Sequence, residues 1–120
     1  MNKMNQHFQH INTTKIEELA AGDTEFYSEV IEIFLTQIPD FVEKMKTSLD
    51  EKNWPVLARE AHTAKSSALT FGMETTGANL KKIQLLAEES ELEQLPELVK
   101  KAITDLEAAI PELHELKNSL

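Results

Sequence analysis

Residues 26–49 read FYSEVIEIFLTQIPDFVEKMKTSL, and their apolar positions recur at steps of three and four. This is the period of an α-helix that buries one face. The apolar stripe consists of Phe26, Val30, Phe34, Ile38, Phe41, Met45 and Leu49. Pro39 has no N–H to donate to the carbonyl of Leu35, so we expect a kink there in preference to a break into two helices. The stretch therefore predicts a long helix that packs against others along one side.

The same period continues on both sides of this stretch and predicts an all-α fold. A short helix is expected through TTKIEELA at residues 13–20, and further helices are expected from about residue 54 to residues 71–72, over about residues 74–89 and over about residues 96–116. Gly77 inside the fourth helix is expected where two helices approach closely. We predict an antiparallel four-helix bundle with a short additional N-terminal helix. Residues 1–12 are expected to form a flexible N-terminus and residues 13–120 a single domain.

Composition excludes several classes of function. The chain has 120 residues, 41 % of them hydrophobic, and no cysteine, which rules out disulfides and thiolate chemistry. Its net charge of −9 repels phosphate backbones, so nucleic acid is not an expected partner. No apolar run is long enough to span a membrane and no secretory signal is visible, so a cytoplasmic location is expected.

The stretch AREAHTAKSSALTFG, residues 58–72, contains the most informative histidine. On a helix, His62 has Ala58, Lys65 and Ser66 as its neighbours on the same face. The short neighbours should leave the imidazole accessible, and a neutral imidazole is a nucleophile near neutral pH. A lysine one turn away favours an anionic adduct such as a phosphoryl group and opposes a metal ion. A surface histidine without a role fits the spacing equally well.

Other motifs are weak. His7 and His10 have the HxxH spacing but no third ligand, so we predict no metal site and interpret them as incidental surface residues. No phosphate-binding loop, HExxH or GxSxG motif occurs, and the chain has no visible means of using ATP by itself.

The stretch around His62 resembles the signature of histidine-containing phosphotransfer (HPt) domains of two-component phosphorelays. That signature is H-x-x-K-G-S followed by a hydrophobic-Gly turn. Here it reads HTAKSS at residues 62–67, then FG at residues 71–72. The resemblance extends over about residues 14–115 and includes a proline in the middle of the second helix, which is common in the family.

The resemblance implies roles for individual residues. His62 would be the phosphoacceptor, at Nε2, and Lys65 would support the phosphoryl charge. Gln84 falls where the family often has Gln or Glu on the neighbouring helix, and its amide is expected to bond the ring or the phosphoryl oxygens. Ser66 departs from the usual glycine and would either crowd a docking partner or bond the phosphoryl group. Four residues are expected in an apolar docking face: Ile16, Leu19, Ala58 and Leu69.

By the same resemblance, the protein would be a carrier and not a stand-alone kinase. It would accept a phosphoryl group from the aspartate of a receiver (response-regulator) domain and pass it to another receiver, with a hybrid histidine kinase as a further partner. Mg2+ is expected in the receiver, and no cofactor is expected on this chain. A monomer is the default expectation. The alternatives are an interaction scaffold with a silent histidine, or the substrate domain of a larger hybrid kinase, although the Met1 start favours a stand-alone protein.

Overall fold

The computed structural model of the protein describes residues 8–120, and this part of the chain contains five helices and no strand. The helices are α1 Thr14–Ala20, α2 Thr24–Asp50, α3 Trp54–Thr70, α4 Glu74–Glu88 and α5 Leu95–Asn118. The predicted all-α class is confirmed, and every predicted helix is present.

Helices α2 to α5 form a closed ring of contacts, in which each helix packs against the next and α5 packs back against α2. The links between consecutive helices are short, so neighbouring helices run antiparallel. The short helix α1 packs against α2. This arrangement agrees with the predicted bundle and its additional N-terminal helix.

Polar side chains and glycine define the helix ends that the sequence predicted. Asp23 accepts a hydrogen bond from the backbone N–H of Phe26, and Asn53 accepts one from Val56. Such caps satisfy amide groups that the first turn of a helix leaves without a partner. After α3, Gly72 adopts a φ of +70°, a left-handed conformation that suits glycine and turns the chain toward α4.

The prolines inside the two longest helices do not interrupt them. Helix α2 continues through Pro39, and α5 continues through Pro111. The alternative of two separate helices at Pro39 is therefore wrong. Packing along the whole buried face of α2 outweighs the one backbone hydrogen bond that Pro39 removes.

The core lies along the axis of the bundle, and most of the predicted α2 stripe contributes to it. Phe34 of α2 stacks on Phe71, which follows α3, with ring centroids 5.0 Å apart. Phe26, which the sequence placed in the buried stripe, is instead 41 % exposed. It lies in the first turn of α2, where the helix has fewer neighbours to bury it.

Residues 8–12 pack against the bundle, so the predicted flexible N-terminus needs correction over these residues. Phe8 and Ile11 are buried, and the backbone N–H of Asn12 donates to the carbonyl of Phe71 at 2.8 Å. The carboxylate of Glu112 in α5 accepts from three successive backbone N–H groups, those of residues 9–11. The packed unit therefore includes residues 8–12 as well as the predicted domain from residue 13 onward, and residues 1–7 of the predicted flexible segment lie outside the described residues.

Candidate functional site

His62 lies in the middle of α3 with its side chain exposed to solvent. The neighbours on its inner side, Ala58 and Ala61, are buried between the helices, as is Ala64. Their methyl side chains let α3 pack closely and are too short to cover the ring. The sequence-based expectation of an accessible imidazole is met by this geometry.

Gln84 of α4 contacts the imidazole directly. Nδ1 of His62 lies 3.1 Å from Oε1 of Gln84. A carbonyl oxygen only accepts hydrogen bonds, so a neutral imidazole that pairs with it carries its proton on Nδ1 and its lone pair on Nε2. Within residues 8–120, Nε2 has no hydrogen-bond partner. The ring is thus held by one nitrogen and offers the other to solvent as a nucleophile.

The close packing of α3 against α4 sets this pairing. Leu69 lies seven residues after His62 on α3, and it contacts Gly77, which lies seven residues before Gln84 on α4. A Cβ atom at Gly77 would be 2.5 Å from Cδ2 of Leu69, so only glycine fits without a shift. The expectation of a close helix approach at Gly77 is confirmed. Because the two helices are antiparallel, the same register brings Gln84 opposite His62.

Glu88 extends the contact by one more turn of α4. Nε2 of Gln84 donates to Oε2 of Glu88 at 3.0 Å. Glu88 is not among the site residues predicted from the sequence. Its spacing of four residues from Gln84 is the signal that was available, since residues four apart on a helix are neighbours.

Lys65 and Ser66 follow His62 by about one turn of α3. Lys65 is half-buried and Ser66 is exposed. In the described part of the chain, no carboxylate forms an ion pair with Lys65, which leaves its ammonium group available for an incoming anion. The α3–α4 register, in which Leu69 lies against Gly77 and His62 pairs with Gln84, places the exposed Lys81 level with Lys65 along the two helices. The phosphoryl-supporting roles of Lys65, Ser66 and Gln84 remain predictions.

The predicted docking face needs correction. Ile16 is fully buried and Ala58 is 4 % exposed, so neither is available to a partner on the surface. Leu69 is half-buried against Gly77, and Leu19 is 56 % exposed. On α2, Phe26 and Ile33 are also large, apolar and exposed. Ile33 lies off the core stripe of its helix, which is the sequence signal that would have found it.

Two further structural findings concern metals and membranes. Residues 8–120 contain no cluster of three His, Asp or Glu side chains suited to hold a metal ion. His10 is not an incidental residue, because its Nδ1 lies 2.7 Å from Glu112; His7 lies outside the described residues. In the same range, each helix is too short or too polar to span a lipid bilayer.

Comparisons with known proteins identify the family and the fold of the chain. The sequence model of the Hpt domain matches residues 29–120. Among solved structures, the chain is similar to histidine-containing phosphotransfer protein B (HptB) from Pseudomonas aeruginosa PAO1, with a TM-score of 0.84 and 14 % sequence identity. The match covers 92 % of this chain and 96 % of that one, and at this identity it shows a shared fold. No curated protein matches the chain by sequence.

The Hpt match extends from the first half of α2 to the end of the chain and contains His62, Lys65 and Gln84. HPt domains are phosphocarriers that act with the receiver domains and kinases of phosphorelays, and they are not stand-alone enzymes. The chain therefore belongs to the Hpt-domain family and has the role of a phosphotransfer carrier in a phosphorelay.

Proposed function

We propose that His62 is the phosphoacceptor and that the protein carries the phosphoryl group between receiver domains. One observation carries the proposal: the imidazole is exposed, and its Nδ1 lies 3.1 Å from Oε1 of Gln84, a pairing in which Nδ1 donates and Nε2 keeps its lone pair. A nucleophile needs an accessible lone pair, and Nε2 supplies one without prior loss of a proton.

The transfer step follows from that protonation state. Nε2 attacks the phosphorus atom of the receiver's aspartyl phosphate, an N–P bond forms, and the P–O bond to the aspartate breaks. The aspartate leaves as a carboxylate, and the ring becomes a phosphorylated imidazolium that keeps its proton on Nδ1. The reverse step loads a second receiver. Positioning and charge neutralisation account for most of the catalysis in such transfers.

Lys65 is the group best suited to compensate the new negative charge. At about 5 Å and an effective dielectric of 20–80, its attraction for one charge is roughly 1–3 kcal/mol, and solvent brings it toward the lower end. We expect Mg2+ to be bound by the receiver and not by this chain. Leu19 remains a candidate for receiver contact, together with the exposed Phe26 and Ile33.

The test is phosphoryl transfer from a radiolabelled, phosphorylated receiver domain in the presence of Mg2+. We expect acid-labile, base-stable label on the wild-type protein and none on His62→Gln, with an unchanged circular dichroism spectrum for the variant. His114→Gln, which changes another exposed histidine on α5, serves as the matched control and should be labelled like the wild type. Equal labelling of His62→Gln and the wild type would refute the assignment.

Absence of label on the wild type, across several receivers, would favour the alternatives. The exposed hydroxyl of Ser66, where the family usually has glycine, is the observation behind a scaffold with a silent histidine. Such a scaffold would bind receivers equally well with and without His62. The partners, the direction of transfer, a monomeric state and a cytoplasmic location are parts of the proposal. So is the choice of a separate carrier over the substrate domain of a larger hybrid kinase.

A further inference from the structure

A hydrogen-bonded chain of three side chains ends on the nucleophile. Glu88 accepts from Nε2 of Gln84 at 3.0 Å, and Oε1 of Gln84 lies 3.1 Å from Nδ1 of His62. An amide side chain can present either its oxygen or its nitrogen to a neighbour, and a neutral imidazole can donate or accept at Nδ1. The first member of the chain, a carboxylate, can only accept.

We propose that Glu88 is a positioning residue that selects the tautomer of His62. Its carboxylate holds the NH2 group of Gln84, which turns the amide oxygen toward His62. The proton of the neutral imidazole is then held on Nδ1, and Nε2 is left free to attack. Only the effect on phosphoryl transfer rests on the proposed function. The tautomer itself is a property of the unphosphorylated protein and can be measured there.

The position of Glu88 argues against a role in helix stability. It is the last residue of α4, where the helix dipole favours a cation and disfavours a carboxylate. No Lys or Arg within residues 8–120 forms an ion pair with it. Its bond to Gln84, four residues earlier on the same helix, is the interaction that the structure gives its side chain.

The same chain also favours the attack itself. As Nε2 bonds to phosphorus, the ring becomes positively charged and the bond from Nδ1–H to Gln84 becomes charge-assisted. The anionic Glu88 polarises Gln84 in the direction that strengthens this bond. Both effects act on the phosphorylated state more than on the free histidine.

The experiment reads the tautomer by NMR, using protein with 15N-labelled histidine at a pH where the imidazole is neutral. Long-range 1H–15N correlations distinguish a proton on Nδ1 from one on Nε2. We expect the Nδ1–H form in the wild type. In Glu88→Lys, the ammonium group only donates, so it should bind the oxygen of Gln84 and turn the NH2 group toward His62. The Nε2–H form should then prevail.

The remaining variants make the result specific. Glu89→Lys, the same change of charge one residue later, should leave the wild-type tautomer. Glu88→Gln, whose amide can donate or accept, should change the tautomer ratio by roughly 2- to 12-fold, the equilibrium effect of one ordinary hydrogen bond. In a Gln84→Ala background, Glu88→Lys should have no further effect, because the link between the two residues is gone.

Each outcome is decisive for one of the two proposals. A wild-type tautomer in Glu88→Lys, with circular dichroism showing a folded protein, would overturn the role of Glu88. A reversed tautomer together with a slower initial rate of labelling would support both proposals. A reversed tautomer in a protein whose wild type takes no label across several receivers would support the role of Glu88 and favour the alternatives to a phosphoacceptor.

Discussion

The carboxylate of Glu112 holds residues 8–12, the N-terminal segment, against the bundle. We predict that removing this carboxylate releases the segment. The carboxylate accepts from the backbone N–H groups of Gln9, His10 and Ile11 at 3.1, 2.9 and 3.1 Å, and from Nδ1 of His10 at 2.7 Å. In Glu112→Ala, these donors lose their acceptor. We expect a fall in the free energy of unfolding and loss of order in residues 8–12.

The fall in the free energy of unfolding cannot exceed the free energy that holds residues 8–12 in place. A hydrogen bond to a charged group contributes about 1.5–3 kcal/mol, and there are three from the backbone. Burial of Phe8 and Ile11 contributes about 1.5–3 kcal/mol each. Ordering five residues costs about 5–10 kcal/mol and offsets most of this gain. The segment is therefore held by roughly 2–5 kcal/mol, and that is the largest loss we expect, because a detached segment has nothing more to lose.

Urea denaturation measures the loss, and amide hydrogen exchange at residues 9–11 localises it. Glu107→Ala is the control, since it changes an exposed glutamate on the same helix. A loss below about 1 kcal/mol, less than one hydrogen bond to a charged group, with residues 9–11 still protected from exchange, would refute the reasoning.

Acid should reduce the difference in the free energy of unfolding between Glu112→Ala and the wild type. Burial by itself would raise the pKa of Glu112, but the hydrogen bonds from His10, Gln9 and Ile11 outweigh it and hold the pKa below its ordinary value of 4.5. A carboxyl group with a lowered pKa in the folded state stabilises the protein above its ordinary pKa. This contribution disappears as the pH falls through the folded-state pKa. The two stability curves should therefore converge below pH 4.5.

Two further predictions concern a turn and the site. Gly72→Ala should lower the free energy of unfolding, measured by urea denaturation, more than Gly22→Ala does. Both glycines have a positive φ, which costs an L-residue roughly 1–2 kcal/mol. A Cβ at Gly72 would also lie 2.5 Å from the carbonyl oxygen of Asn12, whereas a Cβ at Gly22 would have no atom within 4 Å. Equal losses would show that Asn12 moves aside freely. Lys65→Ala should slow labelling of His62 about fivefold, the effect of roughly 1 kcal/mol, while Lys46→Ala on α2 should not change it; a rate unchanged in Lys65→Ala would exclude a role in charge compensation.

Whether a structural feature could be predicted from the sequence depends on how local that feature is. Asn53 at the start of α3 and Gly72 after its end mark helix bounds that could be predicted, because caps and left-handed turns depend on a few adjacent residues. The burial of Ile16 and the exposure of Phe26 could not. Each depends on which helices cover that position, and periodicity on one helix does not say how far its neighbours extend.

The sequence by itself determined the helical class, the order of the helices and the choice of His62 among the histidines, because helical periodicity and the HxxK spacing are properties of the chain read in order. The tertiary structure alone decided three further things: the atoms through which Gln84 contacts His62, the part of Glu88 in that contact, and the docking of residues 8–12 on Glu112. The first two depend on how closely α3 approaches α4 at Gly77. The third joins residues about a hundred positions apart, which no local pattern brings together.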